Sequence, residues 1–201
     1  MGIVYFDTET TSFNPGQICE LSLIVEDEGI IKLAKNYFFA VDKMDAGAQE
    51  THGFSKELLD ELSGGHRFQD YKDELLPIFT ENTLVAHNLP FDEKFLSSEF
   101  WRCGISFKPI GRLDTMTYFR DIMKIPAKYK KYGPYKNPKL SEVVDYLGIK
   151  VDVLQRYTDH LFGASDTSFH DSRYDTAILN VVTNIWREKT NGGCNWHNTF
   201  C

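Results

Sequence analysis

The sequence predicts an α/β fold in which helices flank a mixed central β-sheet. Apolar β-like stretches come first, at residues 3–6, 18–25 and 30–41, and the polar turn EDEG joins the second to the third. Helical patterns then take over, and one short strand-like run, TLVAH, stands among them. Strands that come first and alternate with helices later favour a sheet that opens with an antiparallel meander and carries its functional groups at the strand C-termini.

Five later segments place apolar residues at helical spacing. In chain order they are SKELLDEL, FQDYKDELLPIF, FDEKFLSSEFWRCG, LSEVVDYLGI and DTAILNVVTNIWREK. The stripe Ile178, Val181, Val182 and Ile185 predicts that the last helix packs firmly on the core. The sequence therefore predicts a single domain over residues 1–190, followed by a flexible polar tail at residues 191–201.

Composition indicates an ordinary globular protein, with 42% hydrophobic and 25% charged residues in a chain of 201. No window approaches the roughly 20 apolar residues that cross a bilayer, and the first ten residues have no basic leader. The four scattered cysteines suit a reducing compartment, so we expect a cytoplasmic protein that does not engage a membrane. Cys194, His197 and Cys201 imitate the spacing of zinc ligands, but their polar surroundings favour a frayed end.

Two acids follow the apolar run IVYF at the first strand. Side chains at alternate positions of a strand point to one side, so Asp7 and Glu9 can converge on one cation while Thr8 turns away. Two carboxylates this close repel each other, and a divalent cation with oxygen ligands removes that penalty. Taken alone, the pair would also suit a solvated strand end.

Two further segments carry acids that could join the same site. After TLVAH, the segment HNLPFDEKFL places Asp92 in the first turn of a helix, a position that the helix dipole also favours for any acid. In HDSRYDT, residues five apart differ by about 140° around a helix, so His170 should lie in the loop before the helix that holds Asp175. His170 could there reach a metal-bound water while Asp175 stays a fixed ligand.

Together, FDTETT, HNLPFDEKFL and HDSRYDT resemble the three motifs of the DEDDh, or DnaQ-like, 3′–5′ exonuclease family, in the family's order. The resemblance implies a ribonuclease H-like fold and two Mg²⁺ or Mn²⁺ ions. It implies four metal ligands and one general base, which are Asp7, Glu9, Asp92 and Asp175 with His170 as the base. The segments THGFS, LDT and KLSEVVDYLGI also stand where the family has similar sequences.

Other residues are predicted to contact the nucleic acid. Those near the motifs are Thr8, Thr10, Phe13, His52, Gly53, Phe54 and Asn88, through backbone, stacking or polar contacts. Residues 124–139 form a second candidate, because they hold six lysines and three tyrosines and no acid occurs between Asp121 and Glu142. This loop is either a solvated connection or an arm that contacts phosphates through Lys128, Lys130 and Lys131.

The favoured function is a DNA exonuclease acting at 3′ ends, with proofreading and a polymerase partner chain as open possibilities. The net charge of −7 argues against a nucleic-acid partner, but two bound divalent cations would reduce it to −3 and reverse the local field. An exonuclease that trims RNA is the second choice, since no residue visibly commits to a 2′-hydroxyl. A non-catalytic binding module would be expected to lack a motif residue, and a haloacid-dehalogenase-type phosphatase needs an aspartate where Glu9 stands.

Overall fold

A five-stranded mixed sheet forms the centre of the computed structural model, which describes residues 2–13, 16–129, 131, 133–165 and 167–190. The strands are β1 Gly2–Thr10, β2 Ile18–Asp27, β3 Ile30–Phe38, β4 Asn82–Ala86 and β5 Gly111–Asp114, in the spatial order β3-β2-β1-β4-β5. The first three strands pair antiparallel, whereas β4 and β5 continue the sheet parallel to β1. The predicted antiparallel meander and mixed sheet are confirmed.

Eight α-helices surround this sheet within the described part of the chain. They are α1 Ala46–His52, α2 Lys56–Ser63, α3 Lys72–Thr80, α4 Leu89–Arg102, α5 Thr115–Met123, α6 Leu140–Leu147, α7 Val151–Phe162 and α8 Ser172–Thr190. The five predicted helices are present, although the second begins as a 3₁₀ turn, Phe68–Tyr71, before α3. Three helices, α1, α5 and α7, and the short strand β5 were not predicted, and β3 ends three residues before the predicted limit.

The core lies on both faces of the sheet, because β1 buries alternate side chains in opposite directions. Val4 and Phe6 belong to a cluster that α3 and α4 cover, and Phe6 meets Phe79 of α3 edge-on at 5.1 Å. Tyr5 belongs to the other cluster, which includes Ile178 of α8. Since β1 is central and covered on both faces, the acids it carries are held on a rigid base.

Helix α8 is fixed to the sheet by a buried polar network as well as by apolar packing. Glu26 of β2 accepts hydrogen bonds from Asn180 at 2.9 Å and Asn184 at 3.1 Å, and forms an ion pair with Arg187 at 2.7 Å. These partners lower the pKa of Glu26 despite the opposing effect of burial. At the other end of α8, the hydroxyls of Ser172 and Ser22 lie 2.7 Å apart.

Two further sequence-based expectations concern membrane spans and the C-terminal residues. Across the described residues no helix has the length and apolar character needed to span a membrane. The tail at residues 191–201, with the zinc-like spacing of Cys194, His197 and Cys201, lies outside the described residues, and the limits of the predicted domain stay a prediction.

Candidate active site

The first two acids lie inside β1 rather than after it, because the strand continues to Thr10. Asp7 and Glu9 are half-buried, and their register partners across the antiparallel pair are Ser22 and Glu20 of β2. Directly opposed residues of an antiparallel pair project from the same face of the sheet. Glu9 therefore shares its face with Glu20, which is completely buried.

Asp92 lies in the first turn of α4 and is tied to β1 through Thr8. Thr8 donates its backbone amide (3.2 Å) and its hydroxyl (2.7 Å) to Oδ1 of Asp92. Thr8 does turn away from Asp7 and Glu9, as predicted, but both of its donors are used inside the protein. The amide and hydroxyl of Thr8 hold Asp92 against the central strand, and the contact that we predicted between Thr8 and the substrate stays a prediction.

The turn before α4 is organised by Asp114, which sequence reasoning did not single out. Oδ1 of Asp114 accepts hydrogen bonds from the backbone amides of Asn88 at 2.9 Å and Leu89 at 3.3 Å, and it caps α5 through Met116 at 3.1 Å. Asn88 has a left-handed backbone with a φ of 76° and is exposed. Asp114 thus stabilises an unfavourable backbone conformation four residues before Asp92.

His170 and Asp175 occupy the positions that the spacing predicts. His170 lies in the turn before α8, exposed and with a φ of 72°, and Asp175 is in the first helical turn. The backbone amide of His170 donates to Oδ2 of Asp175 at 3.3 Å. Oδ1 of Asp175 is buried and has no hydrogen-bond partner in the described structure. Such an atom is costly unless a ligand satisfies it.

The electrostatics show that acids from all three motifs share one environment. Burial raises the pKa of Asp7 well above its usual range, and repulsion from Asp92 and Asp175 raises it further. Burial, with repulsion from Glu20 and Asp175, raises the pKa of Glu9 to about 9. Burial also raises the pKa of Asp92 and of Asp175 to about 7, against the hydrogen bonds that each accepts. The three segments therefore meet in a cup of carboxylates, in which burial and mutual repulsion outweigh the effect of any positive charge among the described residues.

Glu20 is the acid of this cup that sequence reasoning missed. Its Oε2 accepts from the amide of Ser172 at 3.4 Å, and its Oε1, 3.8 Å from Arg173, has no hydrogen bond. Burial raises its pKa to about 7, against the effect of Arg173. The signal was available in the run ICELSL, where one acid interrupts apolar residues, because a charged residue is rarely buried without a partner.

A divalent cation fits the chemistry of this cup, which offers only carboxylate oxygens, among them the buried unpartnered Oδ1 of Asp175. In the described residues, no three acidic, histidine or cysteine side chains already stand close enough to form a complete metal-binding cluster. Carboxylates that repel each other separate unless positive charge lies between them. The residues therefore supply suitable ligands, and coordination would require them to draw together.

The remaining predicted contacts lie in three places. Phe13 is 84% exposed just beyond β1 and meets Phe91 edge-on at 6.3 Å. His52 is directed at the backbone oxygen of Thr10, 3.3 Å away, and stacks on Phe54 at 5.3 Å. This contact connects the end of α1 to the end of β1. The positions of Gly53, which ends α1, and of the exposed residues Lys128 and Lys131 are also described, whereas Lys130 lies outside the described residues.

Comparison with known families decides the class of protein. A family model described as an exonuclease, of the RNase T type, matches residues 4–179. The chain belongs to this exonuclease family. The match includes all three acidic motifs, and it confirms both the resemblance to DnaQ-like enzymes and the prediction of a nuclease that hydrolyses phosphodiesters.

Relatives of this exonuclease include DNA polymerase III proteins and a ribonuclease. It is 32% identical over 200 residues to a DNA polymerase III subunit epsilon of Rickettsia conorii, covering 93% of this chain and 85% of the relative. It is 26% identical over 134 residues to a ribonuclease T of Shewanella oneidensis, covering 57% and 60%. It is 25% identical over 186 residues to a PolC-type DNA polymerase III of Mycoplasmopsis pulmonis, covering 91% of this chain but only 11% of that relative.

Solved structures confirm the ribonuclease H-like fold of this exonuclease. Exonuclease X in complex with 5′ overhanging duplex DNA superposes with a TM-score of 0.66 at 16% identity, covering 96% of this chain and 94% of that one. E. coli exonuclease I in complex with a dA16 oligonucleotide superposes with a TM-score of 0.67 at 12% identity, covering 93% and 41%. At these identities the likeness concerns the fold alone.

Proposed function

We propose that this exonuclease removes nucleotides from the 3′ ends of DNA, single-stranded or frayed, and releases nucleoside 5′-monophosphates with the help of two divalent metal ions. The observation that carries the proposal is the convergence of Asp7, Glu9, Asp92 and Asp175 in one acidic cup. Such a cup would repel phosphate by itself, so a role in phosphodiester chemistry requires cations.

Four carboxylates would hold the ions, Mg²⁺ or Mn²⁺. Asp7, Glu9 and Asp175 would bind one, and Asp7 with Asp92 would bind the other. Paired ions supply an acidified water as the nucleophile and stabilise charge on the departing 3′-oxygen. The chain's own contribution is to hold the ligands in place. The Thr8 hydrogen bonds orient Asp92, and the apolar packing of α8 fixes Asp175.

His170 would accept the proton of the attacking water. An imidazole side chain suits a general base near neutral pH. The backbone amide of His170 donates a hydrogen bond to Asp175, a proposed metal ligand. This contact keeps the residue that carries the imidazole next to that ligand. The exposed position in a turn lets the imidazole swing toward the cup while the backbone contact is kept.

DNA is the proposed substrate, and RNA is the second candidate. One relative, matched over 85% of its own length, is a DNA polymerase III subunit, which supports a DNA substrate and a polymerase partner chain. The ribonuclease T relative supports an RNA substrate, although it matches over a shorter part of this chain. Matched single-stranded DNA, duplex DNA with a frayed end and single-stranded RNA would rank the substrates by initial rate.

The test is release of mononucleotide from a 3′-labelled DNA strand with Mg²⁺ and with EDTA. We expect labelled 5′-monophosphate with Mg²⁺ only, and a loss of at least about 100-fold for Asp92→Asn. Asp145→Asn, at an exposed acid of α6, is the matched control and should keep full activity. Release of inorganic phosphate, or of nothing, by the unmodified protein would contradict the proposal.

A further inference from the structure

The flanks 125–127 and 134–136 pair as a small hairpin, and the described residues of 125–136, here named the basic hairpin, are not used by the proposed chemistry. An isolated bridge joins Pro126 and Tyr135. Two hydrogen bonds of 2.9 Å close it, one from the amide of Ala127 to the oxygen of Pro134 and one from the amide of Lys136 to the oxygen of Ile125. Backbone pairing therefore holds the two flanks of the segment together.

The hairpin is positively charged in a protein whose net charge is −7. No acid occurs between Asp121 and Glu142, while six lysines lie in residues 124–139. Lys136 forms an ion pair with Glu142 at the base, so the charge that faces outward comes from nearer the tip. Lys128 and Lys131 are both exposed there. Lysines gathered in one segment of an acidic protein are typical of phosphate contacts.

Aromatic surface accompanies this charge. Tyr129 is 73% exposed, and the ammonium of Lys128 lies 5.5 Å from the centre of its ring. A large exposed ring next to a cation is the combination that binds a single strand, since bases stack on the ring while phosphates meet the cation. An acidic protein partner would use the lysines but would not need the ring.

The base of the hairpin is attached to the edge of the sheet where the acids meet. The backbone oxygen of Pro138 accepts a hydrogen bond from Nε2 of His87 at 3.0 Å, and Nδ1 of His87 lies 3.0 Å from the hydroxyl of Thr115. His87 directly follows β4, which pairs with β1. The hairpin thus arises beside the turn that leads into α4 and Asp92.

We propose that the basic hairpin binds the nucleic-acid strand upstream of the 3′-terminal nucleotide, with Lys128 and Lys131 on phosphates and Tyr129 stacked on a base. This rests on the proposed function, because it takes the acidic cup as the place of the 3′ end. The hairpin then determines how the rate depends on strand length, and leaves the hydrolytic step itself unchanged.

The test compares the triple variant Lys128→Ala/Tyr129→Ala/Lys131→Ala with the unmodified exonuclease on DNA strands of 4 and 20 nucleotides. We expect kcat/KM on the long strand to fall at least about tenfold, and on the short strand to stay within about twofold. Removing two phosphate contacts should also make the plot of log Kd against log salt shallower by about 1.4, at about 0.7 per contact. The double variant Lys32→Ala/Lys43→Ala, at exposed lysines elsewhere, is the matched control.

A binding measurement separates this proposal from the proposed function. Fluorescence anisotropy of a labelled 20-nucleotide strand in EDTA needs no catalysis, and we expect the triple variant to bind at least about tenfold more weakly. Tyr129→Phe should bind as the unmodified protein does, whereas Tyr129→Ala should lose about fivefold or more. Equal Kd values for the triple variant and the unmodified protein, or equal rate losses on both strands, overturn the hairpin's role. An unmodified protein that binds but releases no nucleotide overturns only the proposed function.

Discussion

Around the acidic cup, hydrogen bonds between backbone amides and carboxylates hold most of the acids and turns in place. Thr8 holds Asp92, the amide of His170 holds Asp175, and Asp114 holds the left-handed turn at Asn88. The proposed ligands could be predicted because Asp7 and Glu9 follow an apolar run and because the segments around Asp92 and Asp175 complete the resemblance to a known set of motifs. Their supporting residues could not, because a hydrogen bond to a distant amide leaves no mark in the spacing of residue types.

His170 carries the first prediction at this scale. His170→Ala should lower kcat by roughly 10²–10⁴ because the general base is lost, while metal binding survives because no proposed ligand is removed. Turnover on a labelled strand and the rise in Tm on adding Mn²⁺ would measure the two effects. His160→Ala, at an exposed histidine of α7, is the control. Unchanged hydrolysis in the His170 variant would remove this residue from its role.

Asp114 carries the second prediction. Asp114→Ala removes an acceptor shared by three amides and should lower metal affinity or activity by about 10–100-fold, because the turn before Asp92 loses its support. Asp114→Asn keeps an acceptor oxygen and should restore most of the activity.

Loss of stability alone must be separated from this positioning effect. Ser55→Ala removes a comparable cap from α2, where Ser55 accepts from the amide of Leu58. That variant should lose about 1 kcal/mol of stability and no activity. If both alanine variants change activity equally, Asp114 does not position the site.

Among the secondary-structure elements, length and regular patterning explain several of the outcomes, although α7 was missed despite its twelve residues. The apolar stripe of α8 and the compact run of β2 were recognisable, since both repeat for many residues. Strand β5 has only four residues, and α1 buries none of its side chains, so neither presents a clear pattern. Helix α5 was also not recognised, because its start is set by Asp114 as a cap and not by a long stripe of apolar residues.

Helix α8 carries the prediction at this scale, through Arg187. Arg187→Met leaves the buried carboxylate of Glu26 without its charged partner and should reduce the free energy of unfolding by about 3 kcal/mol. Urea unfolding followed by circular dichroism would measure the loss. Lys189→Met, at an exposed position of the same helix, should change stability by no more than about 0.5 kcal/mol. Similar losses in both variants would show that the network does not anchor α8.

At the scale of the whole molecule, the negative charges of the acidic cup repel one another and reduce stability when the acids are ionised. Asp7, Glu9, Asp92 and Asp175 have raised pKa values when the protein is folded, so the folded state holds more protons than the unfolded chain once the pH exceeds about 4. In the folded protein the pKa is about 7 for Asp92 and Asp175 and about 9 for Glu9. The contribution of these acids to the free energy of unfolding is therefore lost as the pH rises through these values. A cation bound in the cup would remove this loss.

The corresponding prediction concerns metal-free protein between pH 7.5 and 9. In EDTA, Tm should fall with rising pH over this window, and Mg²⁺ should raise Tm most at its upper end. Burial lowers the pKa of His52 and His87, and histidine is mostly neutral above about pH 7.5 even when unfolded, so neither opposes the trend. Glu9→Gln should flatten the slope. A Tm in EDTA that rises across this window would contradict the assignment of the raised pKa values.

The order in which the three motifs occur along the chain affects when activity can arise during synthesis. On the proposed assignment, residues 7 and 92 leave the ribosome long before residue 175, which lies on the last described helix. A nascent polypeptide that has not yet presented α8 lacks one ligand and the base, so it cannot attack the nucleic acids that surround a translating ribosome. Hydrolysis of nucleic acid is thereby delayed until nearly all of the described fold has been synthesised.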